Sequence, residues 1–240
     1  MWRRPRGPPK VWRVMELTDP SGRKRKFSLQ EIPEASYEEV ISHMSSIFAK
    51  DEAMCSALNV TDDPETMHLL QEFWRMFLSQ GISVGAFEIP EGGGKPILAG
   101  VNLLVYSDEE TEKNAIMPHV KGPFGIIMSA VEETRKLADP RELYKVDRFL
   151  EAIGLSISPQ YRRMGLAVKL LEIRDDIGKW YGLEYTSTLF TSSIAQAAAT
   201  KAGYTTDVER LYDEIFPSDN NPFLPRLKGK SCKIMSKRIS

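Results

Sequence analysis

The sequence predicts one α/β domain built around a mixed β-sheet. In the first half of the chain, strand-like runs are joined by short turns, a pattern typical of antiparallel hairpins. In the second half, the stretch 149–191 has the order strand, helix, strand, which connects parallel neighbours. The 240 residues are 42% hydrophobic and 27% charged, as is ordinary for a folded domain of this size. No internal repeat and no domain linker interrupts the chain.

The first half of the chain has clear boundaries between its elements. The turn residues 19–22 separate two runs of strand character, and apolar residues between 37 and 48 recur at helical spacing. Pro64 follows an acidic residue, as is common at a helix start. The glycine run at 91–95 lacks the spacing of a phosphate-binding P-loop, so a hairpin turn is expected there. The predicted elements are strands at 11–17 and 25–32, helices at 37–50 and 64–80, and strands at 82–89 and 97–106.

In the second half, helical and strand periods alternate. Pro140 is expected to stop one helix, and Gly182 and Gly203 each follow a helical run, where glycine commonly ends the helix. The polar segment 107–117 receives no assignment. The predicted elements are a helix at 123–138, a strand at 149–158, a helix at 165–181, a strand at 184–191, a short helix at 194–202, and strands within 204–216 and at 232–239.

Charge is distributed unevenly along the chain. Residues 1–26 hold nine Lys or Arg and two acidic residues, while residues 220–240 hold six Lys or Arg and no acidic residue. The stretch 27–219 therefore has 17 basic and 31 acidic residues, a balance of −14. An acidic body favours cationic small molecules over nucleic acid as partners, although a solvated acidic surface explains the same count. The basic N-terminal arm contains many Pro and Gly residues, which predicts mobility.

Several classes of protein are disfavoured by what the chain lacks. No apolar run has the length of a membrane-spanning helix, and the first residues do not resemble a secretion signal. Cys55 and Cys232 are expected to be reduced thiols of a cytoplasmic protein. His43, His68 and His119 lack metal-ligand spacing, so no metal is expected and the three side chains are predicted to be structural or exposed.

The stretch 153–171 predicts a strand, a basic turn and a helix. The first N–H groups of a helix have no partner within it and carry the positive end of its dipole. Gly165 allows a ligand to approach the backbone, Ala167 is small, and Arg162 and Arg163 add positive charge. These features together predict a pyrophosphate site. An ordinary helix start with solvated arginines is the alternative.

The same turn carries a family resemblance. Arg162-Arg-Met-Gly165-Leu-Ala167 resembles the R/Q-x-x-G-x-G/A signature of the GNAT (GCN5-related N-acetyltransferase) superfamily, and Gly203-Tyr204 resembles the ending of its next helix. Phe48-Ala-Lys-Asp51-Glu52 resembles the F-x-K-D-E-P segment of the insect arylalkylamine (dopamine-type) N-acetyltransferases. The resemblance runs from about residue 28 to the C-terminus. It implies a basic arm and the start of a hairpin over residues 1–24, and one acetyltransferase domain over 25–240.

The resemblance implies a GNAT-type domain with a mixed, mostly antiparallel sheet, flanked by helices and opened by a splayed parallel strand pair. The cosubstrate would be acetyl-CoA and the acceptor a small arylalkylamine. Backbone groups of one splayed strand would bind the pantetheine arm, and one N–H there would polarise the thioester. Amides of the basic turn would hold the pyrophosphate. The residues implied in cofactor binding are Leu155, Ser156, Ile157, Arg162, Arg163, Met164, Gly165, Leu166, Ala167 and Ser192.

Catalytic roles are implied for Glu52 and Thr191. Glu52 occupies the position that serves as general base in the insect enzymes, and Asp51 beside it could instead hold the amine. The family often has two serines after the second splayed strand. Here Thr191 keeps a hydroxyl at the first position, whereas Ala195 has none at the second. Ser192 or Ser193 could substitute for it, or the thiolate could leave unassisted, and Ser192 could also contact the cofactor. Helix capping is the expected role of Ser192 or Ser193.

Three functions remain open from the sequence. The first is direct acetyl transfer to an arylalkylamine, with a monomer favoured but the oligomeric state unknown. The second is a related enzyme that uses a polyamine or a longer acyl-CoA. The third is a non-catalytic acyl-CoA-binding module, which the missing serine at position 195 suggests. Retention of the basic turn together with Glu52 favours an enzyme.

Overall fold

The computed structural model describes residues 1–115, 120–217 and 219–240. Its centre is one eight-stranded sheet in the order β1-β2-β3-β4-β5-β6-β8-β7. All neighbouring strands are antiparallel except β5 and β6, so the predicted mixed, mostly antiparallel sheet is confirmed. The strands are β1 Val11–Thr18, β2 Lys24–Glu31, β3 Val84–Ile89, β4 Ile97–Ser107, β5 Phe149–Ile157, β6 Tyr185–Phe190, β7 Thr205–Leu211 and β8 Ser231–Arg238.

Helices cover both faces of this sheet. Their bounds are α1 Tyr37–His43, α2 Ala49–Asp51, α3 Ala53–Ala57, α4 Pro64–Leu78, α5 Glu109–Ala115, α6 Gly122–Arg135, α7 Pro140–Tyr144, α8 Leu166–Glu172, α9 Arg174–Trp180 and α10 Ser193–Lys201. One apolar core packs α1, α4 and α6 on one face, and a second packs α8 and α9 on the other. None of these described helices is both long and apolar enough to span a bilayer.

The splayed pair predicted from the family resemblance is present. β5 and β6 pair in parallel only at Leu150 and Thr186, so the two strands separate beyond this point. The fully buried guanidinium of Arg174 lies where they diverge. It donates to the carbonyl oxygen of Leu150 at 2.9 Å and to the hydroxyl of Thr188 on β6 at 2.9 Å. Arg174 therefore joins the two strands at the base of the gap.

Some elements differ from the sequence predictions. The first helix passes through a π-helical turn at Met44–Phe48 and stops at Asp51, after which α3 begins a new direction. Asp139 was expected to end a helix, but its side chain accepts a hydrogen bond from the Arg141 N–H and caps α7. The polar segment 107–117 contains part of β4 and all of α5, while residues 116–119, including His119, lie outside the described residues.

The basic N-terminal arm packs against the domain. The ring of Trp2 stacks on Tyr106 with centroids 4.3 Å apart, and the Arg4 N–H donates to the Gln80 carbonyl oxygen at 2.9 Å. The Arg4 guanidinium also lies 3.5 Å from the buried carboxylate of Glu31. The predicted mobility is therefore wrong for this part of the arm. Division of the chain at residue 24 remains our proposal. The sheet does not mark this boundary, because β1 belongs to the same sheet as the strands that follow residue 24.

Candidate active site

The gap between β5 and β6 exposes one set of backbone groups. Hydrogen-bonded residue pairs alternate along an antiparallel ladder, and the Ser158 N–H donates to the Ala99 carbonyl oxygen of the β4 side at 2.9 Å. With Ser156 opposite Val101 in the same register, the backbone groups of Ser156 face β4. Those of Leu155 and Ile157 face the gap. Of the three residues predicted to bind pantetheine through their backbones, Leu155 and Ile157 have the suitable orientation.

The basic turn presents its backbone outward because its apolar side chains are buried. Met164 and Leu166 are 7% and 1% exposed and anchor the turn in the core beneath α8. Gly165 has a φ of +80°, and a Cβ added to it would meet no atom within 4 Å. Arg163 also has a positive φ, +62°. The turn therefore offers an open, backbone-lined space next to the exposed Arg163 side chain.

Arg162 links the basic turn to the segment that precedes α3. Its Nε donates to the Ile157 carbonyl oxygen at 3.0 Å, and its Nη2 contacts the Asp51 carboxylate. The sequence suggested that Arg162 adds charge for an anion and that Asp51 could hold an amine. In the structure, each side chain neutralises the other across 111 residues of sequence. The contact brings the Lys50-Asp51-Glu52 segment to the end of the gap where the basic turn lies.

Glu52 lies at the break between α2 and α3. Its ψ of 133° ends the helical path, and its Oε2 accepts a hydrogen bond from the Cys55 N–H at 2.7 Å, which caps α3. Its Oε1 is buried and has no hydrogen-bond partner among the described residues. A carboxylate oxygen in this state can accept a proton or a hydrogen bond from a ligand.

Tyr212 connects Glu52 with the end of β6. Its side chain is fully buried, and its hydroxyl donates to the Thr191 carbonyl oxygen at 2.8 Å. Burial and the nearby charge of Glu52 raise the pKa of this phenol far above its ordinary value. Tyr212 therefore contacts the Thr191 backbone, and its phenol lies within electrostatic range of Glu52. The sequence did not point to Tyr212, because it lies after β7 in a segment without a motif.

The residues after β6 form a helix start. Ser192 accepts a hydrogen bond from the Ala195 N–H at 3.3 Å, so it caps α10, and the expected capping role is confirmed. Thr191 is half-buried immediately before this cap. Ile194, where the family often has an aromatic residue, is 84% exposed. The Thr191 backbone is thus held by the Tyr212 hydroxyl, next to the cap of α10.

His43 supports β5 from α1. Its Nε2 lies 2.9 Å from the Ser156 hydroxyl, and its Nδ1 lies 3.4 Å from the Ser158 hydroxyl. Burial, with a smaller effect of the Arg162 charge, lowers the pKa of His43 to about 4. The imidazole is therefore neutral at pH 7 and has a structural role, as the sequence suggested, while His68 is exposed.

His43 should make the stability of the fold depend on pH. Its pKa falls from 6.5 in the unfolded chain to about 4 in the folded protein, so the unfolded state binds the extra proton between these values. The contribution of His43 to the free energy of unfolding is fully present above pH 6.5. It is lost as the pH falls toward 4, by up to roughly 3 kcal/mol. Urea unfolding at about pH 7 and about pH 4.5 measures this loss. His43→Gln should lose less stability over this interval, and an equal loss in both proteins would contradict the prediction.

The described residues contain no cluster of three or more His, Cys, Asp or Glu side chains that could hold a metal. Both cysteines are unbridged and buried. The arrangement has a gap lined by backbone groups that face away from β4, a basic turn at one end, and a carboxylate on the neighbouring segment, one oxygen of which has no partner among the described residues.

Comparison with known proteins gives this arrangement a context. No protein-family model and no curated protein matches the sequence. The chain is similar over its whole length to the protein designated arylalkylamine N-acetyltransferase 7 of the mosquito Aedes aegypti, with 28% identity, all of both chains covered and a TM-score of 0.88.

Two more distant structures share the fold. Arylalkylamine N-acetyltransferase 2 of Aedes aegypti is 24% identical over 89% of this chain and 99% of its own, with a TM-score of 0.74. A polyamine N-acetyltransferase of Drosophila melanogaster is 17% identical over 88% and 99%, also with a TM-score of 0.74. This chain therefore has the GNAT fold, it resembles the insect arylalkylamine N-acetyltransferases, and the likeness supports an enzyme of the acyltransferase class.

Proposed function

We propose that this protein transfers the acetyl group of acetyl-CoA to the primary amine of a small arylalkylamine, with Glu52 as the general base. The observation that carries the proposal is the half-buried Glu52 carboxylate. One of its oxygens caps α3, and the other is buried and unpartnered among the described residues. Such an oxygen, next to a gap of the GNAT type, is suited to accept a proton from an amine.

The residues of the gap and the turn fit a CoA thioester. The backbone groups of Leu155 and the N–H of Ile157 face the gap and are available to the pantetheine amides, while the Ile157 carbonyl oxygen already accepts from Arg162. The open space at Gly165 suits a pyrophosphate, with amides from 163 to 167 as donors and the Arg163 charge beside them. The Arg162 N–H, also expected as a donor, instead bonds to the Pro159 carbonyl oxygen. Ser192 would reach the cofactor only in addition to its capping role. Acetyl-CoA supplies an acyl group activated as a thioester.

The proposed reaction is direct. The amine nitrogen forms a bond to the acyl carbon as the carbon–sulfur bond breaks, and the ammonium proton passes to Glu52, directly or through water. The sulfur leaves as the thiolate of CoA and takes up a proton. We propose that the Thr191 hydroxyl supplies this proton and takes up in return the second proton that the attacking nitrogen must lose, because Tyr212 fixes the Thr191 backbone beside the site and the second hydroxyl of the family pattern is absent at Ala195.

The partners and location form part of the same proposal. The acceptor is a small-molecule amine, the protein is a monomer, and no metal takes part. A cytoplasmic location agrees with the two unbridged cysteines, both buried. An aromatic acceptor is favoured over a polyamine because the mosquito protein that matches the whole chain is designated an arylalkylamine enzyme.

The proposal is tested by free CoA release across a panel of amines. Tryptamine, tyramine and dopamine represent arylalkylamines, and agmatine and spermidine represent polyamines, each with acetyl-CoA and with a longer acyl-CoA. We expect turnover with acetyl-CoA and at least one arylalkylamine, at a higher kcat/KM than with either polyamine. A higher kcat/KM with a polyamine or with a longer acyl-CoA would contradict the proposed substrate class and identify the other one. Cofactor binding without turnover of any amine would identify a binding module.

A further inference from the structure

The peptide group between Gly154 and Leu155 lies at an irregularity of the sheet. Leu103 faces Gly154, but Leu104 faces Ala152, so β5 bulges at Ile153 just where it leaves β6. Because hydrogen-bonded pairs alternate along β4 and β5, and the Ser158 N–H bonds to Ala99 on the β4 side, the Gly154 carbonyl also faces β4. In a trans peptide the N–H points opposite to the carbonyl. The Leu155 N–H therefore points into the gap.

A buried side chain holds this peptide group. Asn102 on β4 is 0% exposed, and its Nδ2 donates to the Gly154 carbonyl oxygen at 2.9 Å. Only the amide nitrogen of Asn102 can make this contact, since its oxygen would repel a carbonyl oxygen. The Asn102 Oδ1 is buried and has no hydrogen-bond partner among the described residues. Burial of this unpaired acceptor costs free energy, yet the carboxamide keeps its donor on the Gly154 carbonyl oxygen.

We infer that Asn102 is a positioning residue for acyl transfer, acting through the Leu155 N–H. This inference rests on the proposed function, in which a backbone N–H of the gap polarises the thioester carbonyl. A hydrogen bond to the Gly154 oxygen polarises the whole peptide group, which strengthens the N–H on its other side. The same bond fixes the orientation of the peptide plane at the bulge, where the regular ladder is interrupted. Asn102 itself does not face the gap.

Asn102→Leu tests this role with a side chain of similar size that cannot donate. Gln80→Leu is the matched control. Gln80, which follows α4, is also a fully buried carboxamide bonded to β4, but it contacts the N–H and the carbonyl of Tyr106 rather than the bulge. Both variants lose a buried hydrogen bond, so both should lower the midpoint of thermal unfolding. Only Asn102→Leu should change the polarity and the orientation of the Leu155 N–H.

The direct readout is the vibrational frequency of the thioester carbonyl in bound [¹³C]acetyl-CoA, with no amine present. We expect hydrogen bonding to lower this frequency in the wild type, and Asn102→Leu to move it back toward that of free acetyl-CoA. Affinity for CoA, which has no thioester carbonyl, should stay within about twofold of the wild type because the basic turn is unchanged. With an active amine, kcat should fall roughly tenfold, less than the 10²- to 10³-fold typical of losing an oxyanion donor altogether.

An unchanged carbonyl frequency in Asn102→Leu, or an equal change in Gln80→Leu, overturns the inference. If Asn102→Leu does not fold, Asn102→Ala replaces it, because alanine is small, cannot donate and should give the same change. The readout also separates the inference from the proposed function. A wild type that turns over no amine but lowers the carbonyl frequency refutes only the proposed function, while normal wild-type turnover with an unchanged frequency in the variant refutes only the role of Asn102.

Discussion

Glu52→Gln is expected to lower kcat at pH 7 by roughly 10²- to 10³-fold. A primary alkylamine, like the lysine side chain, titrates near about pH 10 and is mostly protonated at neutrality, so transfer needs a group that accepts its proton. The substitution preserves the fold because the glutamine oxygen can still accept from the Cys55 N–H and cap α3. What it removes is the proton acceptor.

The dependence of the rate on pH separates this role from a structural one. The loss in kcat of Glu52→Gln relative to the wild type should be greatest near neutral pH. It should become smaller as the pH approaches the pKa of the amine, where the amine loses its proton without a base. Glu39→Gln provides the control, because Glu39 belongs to α1 and pairs with Lys95 at 3.5 Å, outside the site. A pH–rate profile of Glu52→Gln parallel to that of the wild type would remove Glu52 from its proposed role.

Gly165→Leu is expected to weaken the binding of CoA by at least about tenfold. The added side chain would occupy the open space beside the turn, where a Cβ meets no protein atom within 4 Å. A bound pyrophosphate would then lose hydrogen bonds to backbone donors, and charged hydrogen bonds are worth roughly 1.5–3 kcal/mol each. Calorimetric titration with CoA measures the change directly.

Gly182→Leu is the matched control for this substitution. Gly182 follows α9 with a φ of +68° and likewise has no atom within 4 Å of an added Cβ, whereas Gly165 precedes α8 with a φ of +80°. Both variants carry a similar cost of a side chain in left-handed backbone, about 1–2 kcal/mol. Equal affinities for CoA in the two variants would count against a pyrophosphate at Gly165.

Local rules were sufficient to predict most elements of the sheet and its helices. Pro64 begins α4 behind the capping side chain of Asp63, and Ser192 caps α10, as turn and cap chemistry indicated. The strand–turn–helix around Gly165 was predicted because each of its parts has a local signal. Asp139 shows the limit of such rules, since the Asp-Pro pair that was expected to end α6 instead begins α7, and α6 already stops at Arg135.

The contacts that build the candidate site could not be predicted in the same way. Arg162 meets Asp51 across 111 residues, and Asn102 meets Gly154 across 52 residues. The sequence separation within each pair belongs to no motif, because only the register of the sheet and the packing of α1 bring the partners together. Tyr212 and the docked Trp2 are similar cases, since burial against distant strands decides their positions.

The most direct test of acetyl transfer uses mass spectrometry on the wild-type protein with acetyl-CoA, before and after an arylalkylamine is added. With acetyl-CoA alone the mass of the chain should not change, because the amine attacks the thioester directly and no acyl-enzyme forms. After addition of the amine, N-acetylated amine and free CoA should appear in equal amounts. An acetylated chain, or CoA binding with no N-acetylated product from any amine tested, would contradict the account.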